Sequence, residues 1–199
     1  MGLQEDKRAR VSRQLADECF RLALERGLDG FVIEEVTTAI GYSRRTFANH
    51  FSCKEAAIAE ILVMAAAEGF AGFRIETRHE SLLDALEEGV QGQFDKKMLQ
   101  KLAQLVKLAH RYPALQPYIL ANQRRLMTLM LEAVSKARGG ASPDTDTVLL
   151  LNACYGMLGA LISGEALLLG PDSPSDPVDL EAQVHEFTSL VFEKLRSGF

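Results

Sequence analysis

Along this chain apolar residues return every three or four positions, and nowhere do they alternate as a half-buried strand would. Val11, Leu15, Ala16, Cys19, Phe20 and Ala23 predict a first helix over 6–26, stopped by Gly27. Ile33, Val36 and Ile40 predict a short second one, and a third, over 44–51, sets Phe47 and Phe51 on one face. Ser52 and Glu55 form a capping box at the head of a fourth, 54–75, with Ile58, Ile61 and Leu62 apolar. Further helices are predicted at 81–95, 96–110 and 114–138, the last stopped by Gly139-Gly140. Ser142-Pro143 opens a helix to Leu169, and Asp176-Pro177 opens the last, with Leu180, Val184, Phe187, Val191 and Leu195 as its stripe. The expected fold class is all-α, an N-terminal three-helix domain over 1–53 followed by a helical domain over 54–199.

The stretch Gly41–Glu55, GYSRRTFANHFSCKE, has a particular form. Gly41 suits the end of one helix because it accepts positive φ, and Ser43 can cap the next. Phe47 and Phe51 turn to the core, which leaves Arg44, Arg45, Ala48 and Asn49 on the opposite side. This is a helix, a tight turn and a helix whose outer face carries arginine and amide groups, the construction of a major-groove reader. Arg44, Arg45 and Asn49 would meet base edges, arginine suiting guanine and asparagine adenine. Ser43, Thr46, His50 and Lys54 would set position on the phosphate backbone. Lys7, Arg8, Arg10 and Arg13, at the head of the first helix, are candidates for flanking phosphates.

This segment resembles the recognition segment of the TetR family of transcriptional regulators. Gly41, Ser43, Thr46, Phe47, His50, Phe51, Lys54 and Glu55 follow the family's pattern in order and spacing. Two positions depart from it: Ala48 stands where the family often has an aromatic residue that meets a phosphate, and Val32 where it often has a capping threonine. The resemblance implies an N-terminal helix-turn-helix DNA-binding domain followed by an effector-binding and dimerisation domain. It also implies a cytoplasmic homodimer that, as a repressor, leaves a palindromic operator when a small molecule binds.

Charge bears on how DNA would be held. The chain of 199 residues has a formal charge of −5, which disfavours coating nucleic acid by bulk charge. Residues 1–54 hold nine Lys/Arg against eight Asp/Glu, and the acidic excess lies in the remainder. Binding would therefore depend on a local face. The three cysteines, Cys19, Cys53 and Cys154, are odd in number and widely spaced, as expected of reduced thiols, Cys19 in the core and Cys53 the most exposed. No basic-then-apolar leader precedes the first helix.

Val148–Leu169 is apolar on nearly every face, but Asn152, Glu165 and three glycines interrupt it and its flanks are acidic. This favours burial on all sides over a membrane span, with a second subunit supplying one side. The helices about 143–169 and 177–196 are thus the expected homodimer interface. Apart from Met1 every methionine lies beyond 54, in a region that also holds aromatic residues, and an apolar effector pocket is expected among Phe70, Phe94, Met98, His110, Tyr118, Met127 and Tyr155. Against an enzyme, there is no GxSxG, HExxH, P-loop or GxGxxG after a strand. The four histidines are scattered, and neither a metal nor a cofactor is implied. Other readings are a regulator without an effector and, further off, a membrane-associated or enzymatic helical protein.

Overall fold

The computed structural model describes residues 3–71, 73, 75, 81–93, 96–163 and 177–197, which form helices and turns without a strand. The helices are α1 (Leu3–Arg26), α2 (Ile33–Ala39), α3 (Arg44–Ala48), α4 (Lys54–Ala71), α5 (Leu82–Gln93), α6 (Lys96–Arg111), α7 (Gln116–Ala137), α8 (Thr145–Ser163) and α9 (Pro177–Ser197). Single 3-10 turns stand at Leu28–Gly30 and Pro113–Leu115. The expected positions 164–169, the loop 170–176 and residues 94–95 lie outside the described residues. No helix among the described residues is long and apolar enough to cross a membrane.

The chain divides into two compact units. The first joins Met1–Met64 to Lys107–Asn122, and the second joins Ala65–Val106 to Gln123–Phe199. The first unit thus reaches beyond the expected boundary at residue 53 and takes in the corner between α6 and α7. Its core explains the extension. Leu15, Ala16 and Cys19 of α1, Val36 of α2 and Phe47 of α3 are buried, and so are Ala57, Ile58, Ile61 and Leu62 of α4. Tyr112 adds a close contact within this unit. Gly27 ends α1 at φ +78°, and a Cβ there would lie 2.2 Å from the Tyr112 hydroxyl oxygen. Only glycine admits both that backbone angle and that approach.

In the second unit α5 and α9 pack side by side. Arg196 of α9 binds Asp84 and Glu87 of α5, and Gln91 donates to the Ser189 hydroxyl at 3.1 Å. The carboxyl of Asp84 is held below its usual range, first by the Arg196 hydrogen bond and then by Ser81. Leu99, Leu102, Leu126, Val134, Leu151, Val184 and Phe192 form this unit's core.

Among the helix ends that differ from the expected ones, three have a clear local reason. α8 begins at Thr145 because Asp144 is the better cap: its carboxylate accepts the Thr147 N–H at 2.8 Å and pairs with Arg138. α4 is capped by Cys53 in place of Ser52. The Ala56 N–H points to the Cys53 sulfur at 3.4 Å, while the Ser52 hydroxyl only reaches that same sulfur. α3 stops at Ala48, after which the His50 and Phe51 N–H groups both bond the Phe47 carbonyl at 2.9 Å. That tightening still brings Phe51 to Phe47, with ring centroids 5.8 Å apart.

Candidate nucleic-acid interface

The turn between α2 and α3 is built from backbone first. Gly41 sits at φ +73°; its N–H bonds Thr38 O at 3.3 Å, and the Tyr42 N–H bonds Thr37 O at 2.8 Å. This pair of bonds closes the end of α2 and needs a left-handed residue at position 41. Tyr42 then anchors the turn to α1 by donating its hydroxyl to Gln14 at 2.8 Å. Ser43 caps α3, its hydroxyl accepting the Thr46 N–H at 3.1 Å and lying 2.9 Å from the Thr46 hydroxyl. Phe47 fixes the helix from beneath, with 1% of its surface exposed.

With that face buried, the other is set. Arg44, Arg45, Ala48 and Asn49 are exposed, as the spacing requires. Thr46 is half-buried, its hydroxyl occupied by Ser43. His50 is half-buried too, with its ring 6.4 Å from that of Phe51. Burial, and then the charge of Arg8, push the His50 imidazole below its usual pKa, so it favours the neutral form. The influence of Arg8 also places the basic head of α1 near the end of α3.

Lys54 takes a different course. Its ammonium turns inward, donating to Leu28 O at 2.5 Å and Phe31 O at 3.1 Å, and lies 4.9 Å from the centre of the Phe31 ring. Two of its three donors thus serve the segment that leads into α2, and one is left for an outside acceptor. Sequence reading cannot see this, because the carbonyls lie 23 and 26 residues back along the chain.

Sequence pattern alone does not mark out Glu34 and Glu35, which both stand in the first turn of α2. Glu35 reaches back to the Val32 N–H at 3.0 Å and pairs with Arg26 at 2.8 Å; these two bonds lower its pKa. Val32 offers no side-chain acceptor, so Glu35 alone caps α2. Glu34 pairs with Arg44 at 2.8 Å, across the turn. A carboxylate ten positions before an arginine leaves no signal at helical spacing.

The residues expected around an effector are divided between the two units. His110 and Tyr118 belong to the first unit, His110 exposed and Tyr118 half-buried, its phenol pKa raised by the neighbouring Cys53. Met98, Met127 and Tyr155 are half-buried in the second unit. Phe94 and the side chain of Phe70 lie outside the described residues. The second unit does hold a small apolar cavity of ≈ 10 Å³, lined by Phe73, Leu86, Gly89, Val90, Met130, Ala133, Val134 and Leu151. That is about the room one water needs. The Phe73 ring fills the space over Gly89, where a Cβ would meet it at 2.8 Å. Gly89 is a helix-interior glycine, a signal that Gly92 in the same predicted helix shares without any such approach. Among the described residues, no group of three or more His, Cys, Asp or Glu is placed to hold a metal.

No family model matches the sequence, and no curated protein matches it significantly. Solved structures do match. A candidate TetR-family transcriptional regulator from Mesorhizobium loti MAFF303099 is 20% identical, over 94% of this chain and 96% of its own, with a TM-score of 0.50. GusR of Salmonella enterica is 19% identical, over 94% of each chain, with a TM-score of 0.53. At such identities the likeness is one of architecture, and it runs nearly end to end. The order of helices, the turn at Gly41 and this whole-length match lead to one statement: the chain has the all-α fold of the TetR-family transcriptional regulators.

Proposed function

We propose that this protein is a sequence-specific DNA-binding transcriptional regulator. In this reading it is a homodimer that represses from a palindromic operator and is released by an apolar small molecule. The observation that carries the reading is α3: a short helix seated on the buried Phe47, with Arg44, Arg45 and Asn49 all exposed on its outer face. Arginine forks match guanine and the asparagine amide matches adenine, so this face has the chemistry to read base edges. Ser43, Thr46 and His50, with the last donor of Lys54, would set the helix against the backbone.

A single five-residue helix reads only a few base pairs, which is why a dimer belongs to the proposal. Its support lies on α8 and α9. Leu149, Asn152 and Gly156 form an exposed stripe on α8, with Leu149 63% exposed, and Leu190 of α9 is 52% exposed. Gly156 and Gly159 have nothing within 4 Å of a built Cβ, so a second copy's helix has room to approach there. A twofold axis through these helices would present two copies of α3 to a palindrome.

The effector is supported by the cavity at Phe73, whose lining is apolar. Its ≈ 10 Å³ is too little for a ligand unless Phe73 moves, and this size favours a second reading, a regulator that takes no small molecule. Selection of bound duplexes from random DNA, at a stated near-physiological salt, tests the function. Enrichment of one palindrome is the expected result. A folded dimer that enriches no sequence overturns the reading. Thermal shift with a panel of apolar compounds separates the two readings of the cavity.

A further inference from the structure

The ion pair between Glu34 and Arg44 joins the two helices of the reading head. Arg44 is the first residue of α3 and Glu34 the second of α2, with Nη1 and Oε1 2.8 Å apart and the side chains 74% and 53% exposed. So exposed a pair contributes little to stability. Nor do the helices need it, because the turn at Gly41 and the buried Val36 and Phe47 already fix them. Glu35, one position on, is committed to Val32 and Arg26 as a cap, whereas Glu34 is aimed at a reading residue.

We propose that Glu34 is a positioning residue for specificity: it holds Arg44 by Nη1, leaves the Nε–Nη2 edge for a guanine, and keeps that charge from being drawn to phosphate. The inference rests on the DNA-reading function proposed above. An unpaired arginine at the head of a recognition helix finds phosphates on any sequence, which raises non-specific affinity and the salt dependence with it. A carboxylate on one nitrogen cancels much of that attraction and narrows the orientations of the guanidinium plane. A guanidinium has five N–H donors, so one bond to Glu34 leaves a fork for O6 and N7 of guanine. The carboxylate also repels any phosphate that Arg44 would turn toward. It thereby penalises wrong docking more than it strengthens right docking. Arg45, exposed and without a side-chain partner among the described residues, would supply the unrestrained contact beside it.

The test uses the full chain as wild type, E34Q, R44Q and the double variant, titrated over a salt series. Each is measured against the selected palindrome and against random duplex of equal length. E34Q is expected to bind random duplex more tightly, with a log–log salt slope steeper by about one. Its operator-to-random ratio should fall about tenfold, as when one guanine contact is released. In the R44Q background the same change should move the ratio less than twofold, since the effect acts through Arg44. Helical content and melting should match wild type, which separates positioning from folding. An unchanged ratio in E34Q, or an equal change in both backgrounds, overturns the proposal. A wild type that shows no operator preference overturns the DNA-reading function itself, and is told apart because the ratio is already one before any substitution.

Discussion

Lys54→Met removes an ammonium from three partners at once while keeping an unbranched stem of similar reach. Leu28 O and Phe31 O lose donors at 2.5 and 3.1 Å, and the Phe31 ring loses a cation 4.9 Å from its centre. A hydrogen bond from a charged donor contributes about 1.5–3 kcal/mol when shielded. Lys54 is only half-buried, and water can replace part of each bond, so about 1 kcal/mol apiece is the fitting scale. The cation over the ring adds about 0.5–1 kcal/mol, and the thioether recovers a similar amount by packing on it. The net loss is about 2 kcal/mol, or about 4–8 °C in melting temperature for a chain of this size. Thermal and urea unfolding measure it, and DNA titration at a temperature where both proteins are folded completes the assay. If Lys54 served mainly as a phosphate ligand, the melt would barely move and the salt slope would fall by about one. That result would refute the reasoning.

Three further outcomes are expected. Gly27→Ala should destabilise by at least the ~1–2 kcal/mol of a left-handed alanine, more because of the 2.2 Å approach of the Tyr112 hydroxyl; Tyr112→Phe should recover the steric part alone. Equal losses with and without that hydroxyl in chemical denaturation would show that no steric part exists. Asp144, held at about 2 by Thr147 and then Arg138, lies below its usual 3.8, so its contribution is present above that value and is lost as pH falls toward 2. The melting gap between wild type and D144N should therefore close between pH 5 and pH 2, and a constant gap would exclude this origin. Leu149→Asp places a charge on the exposed stripe of α8 and should yield monomers in analytical ultracentrifugation, with weaker operator binding; a dimer of undiminished affinity would move the interface elsewhere.

Much of the fold was legible because local chemistry and global packing agree. Gly27, Gly41 and Gly139, which end three helices, all adopt positive φ, and Phe47 and Cys19 are buried where a 3.6-residue period puts them. Helix starts were less legible, because Ser52 and Ser142 have the right chemistry for caps but Cys53 and Asp144 stand where the chain turns. The reading face of α3 was legible as a pattern. What occupies its residues was not: Lys54 bends to carbonyls laid down before α2, and Arg44 meets Glu34 only because the turn at Gly41 folds α2 back beside α3.

The pocket expectation shows the same limit from the other side. Composition groups Met and aromatic residues without saying which unit each joins: Tyr118 lies in the first unit, and the small cavity in the second is lined by Phe73, Gly89 and Met130 among others. By itself, then, the sequence determined the all-α class, the helix-turn-helix and the side of α3 that faces outward, because periodicity, caps and glycine conformations are read within a few residues. Tertiary structure alone decided where the units divide, which charges on the reading head are already paired, and where an apolar void remains. Those depend on contacts between segments far apart in sequence, which no local pattern records.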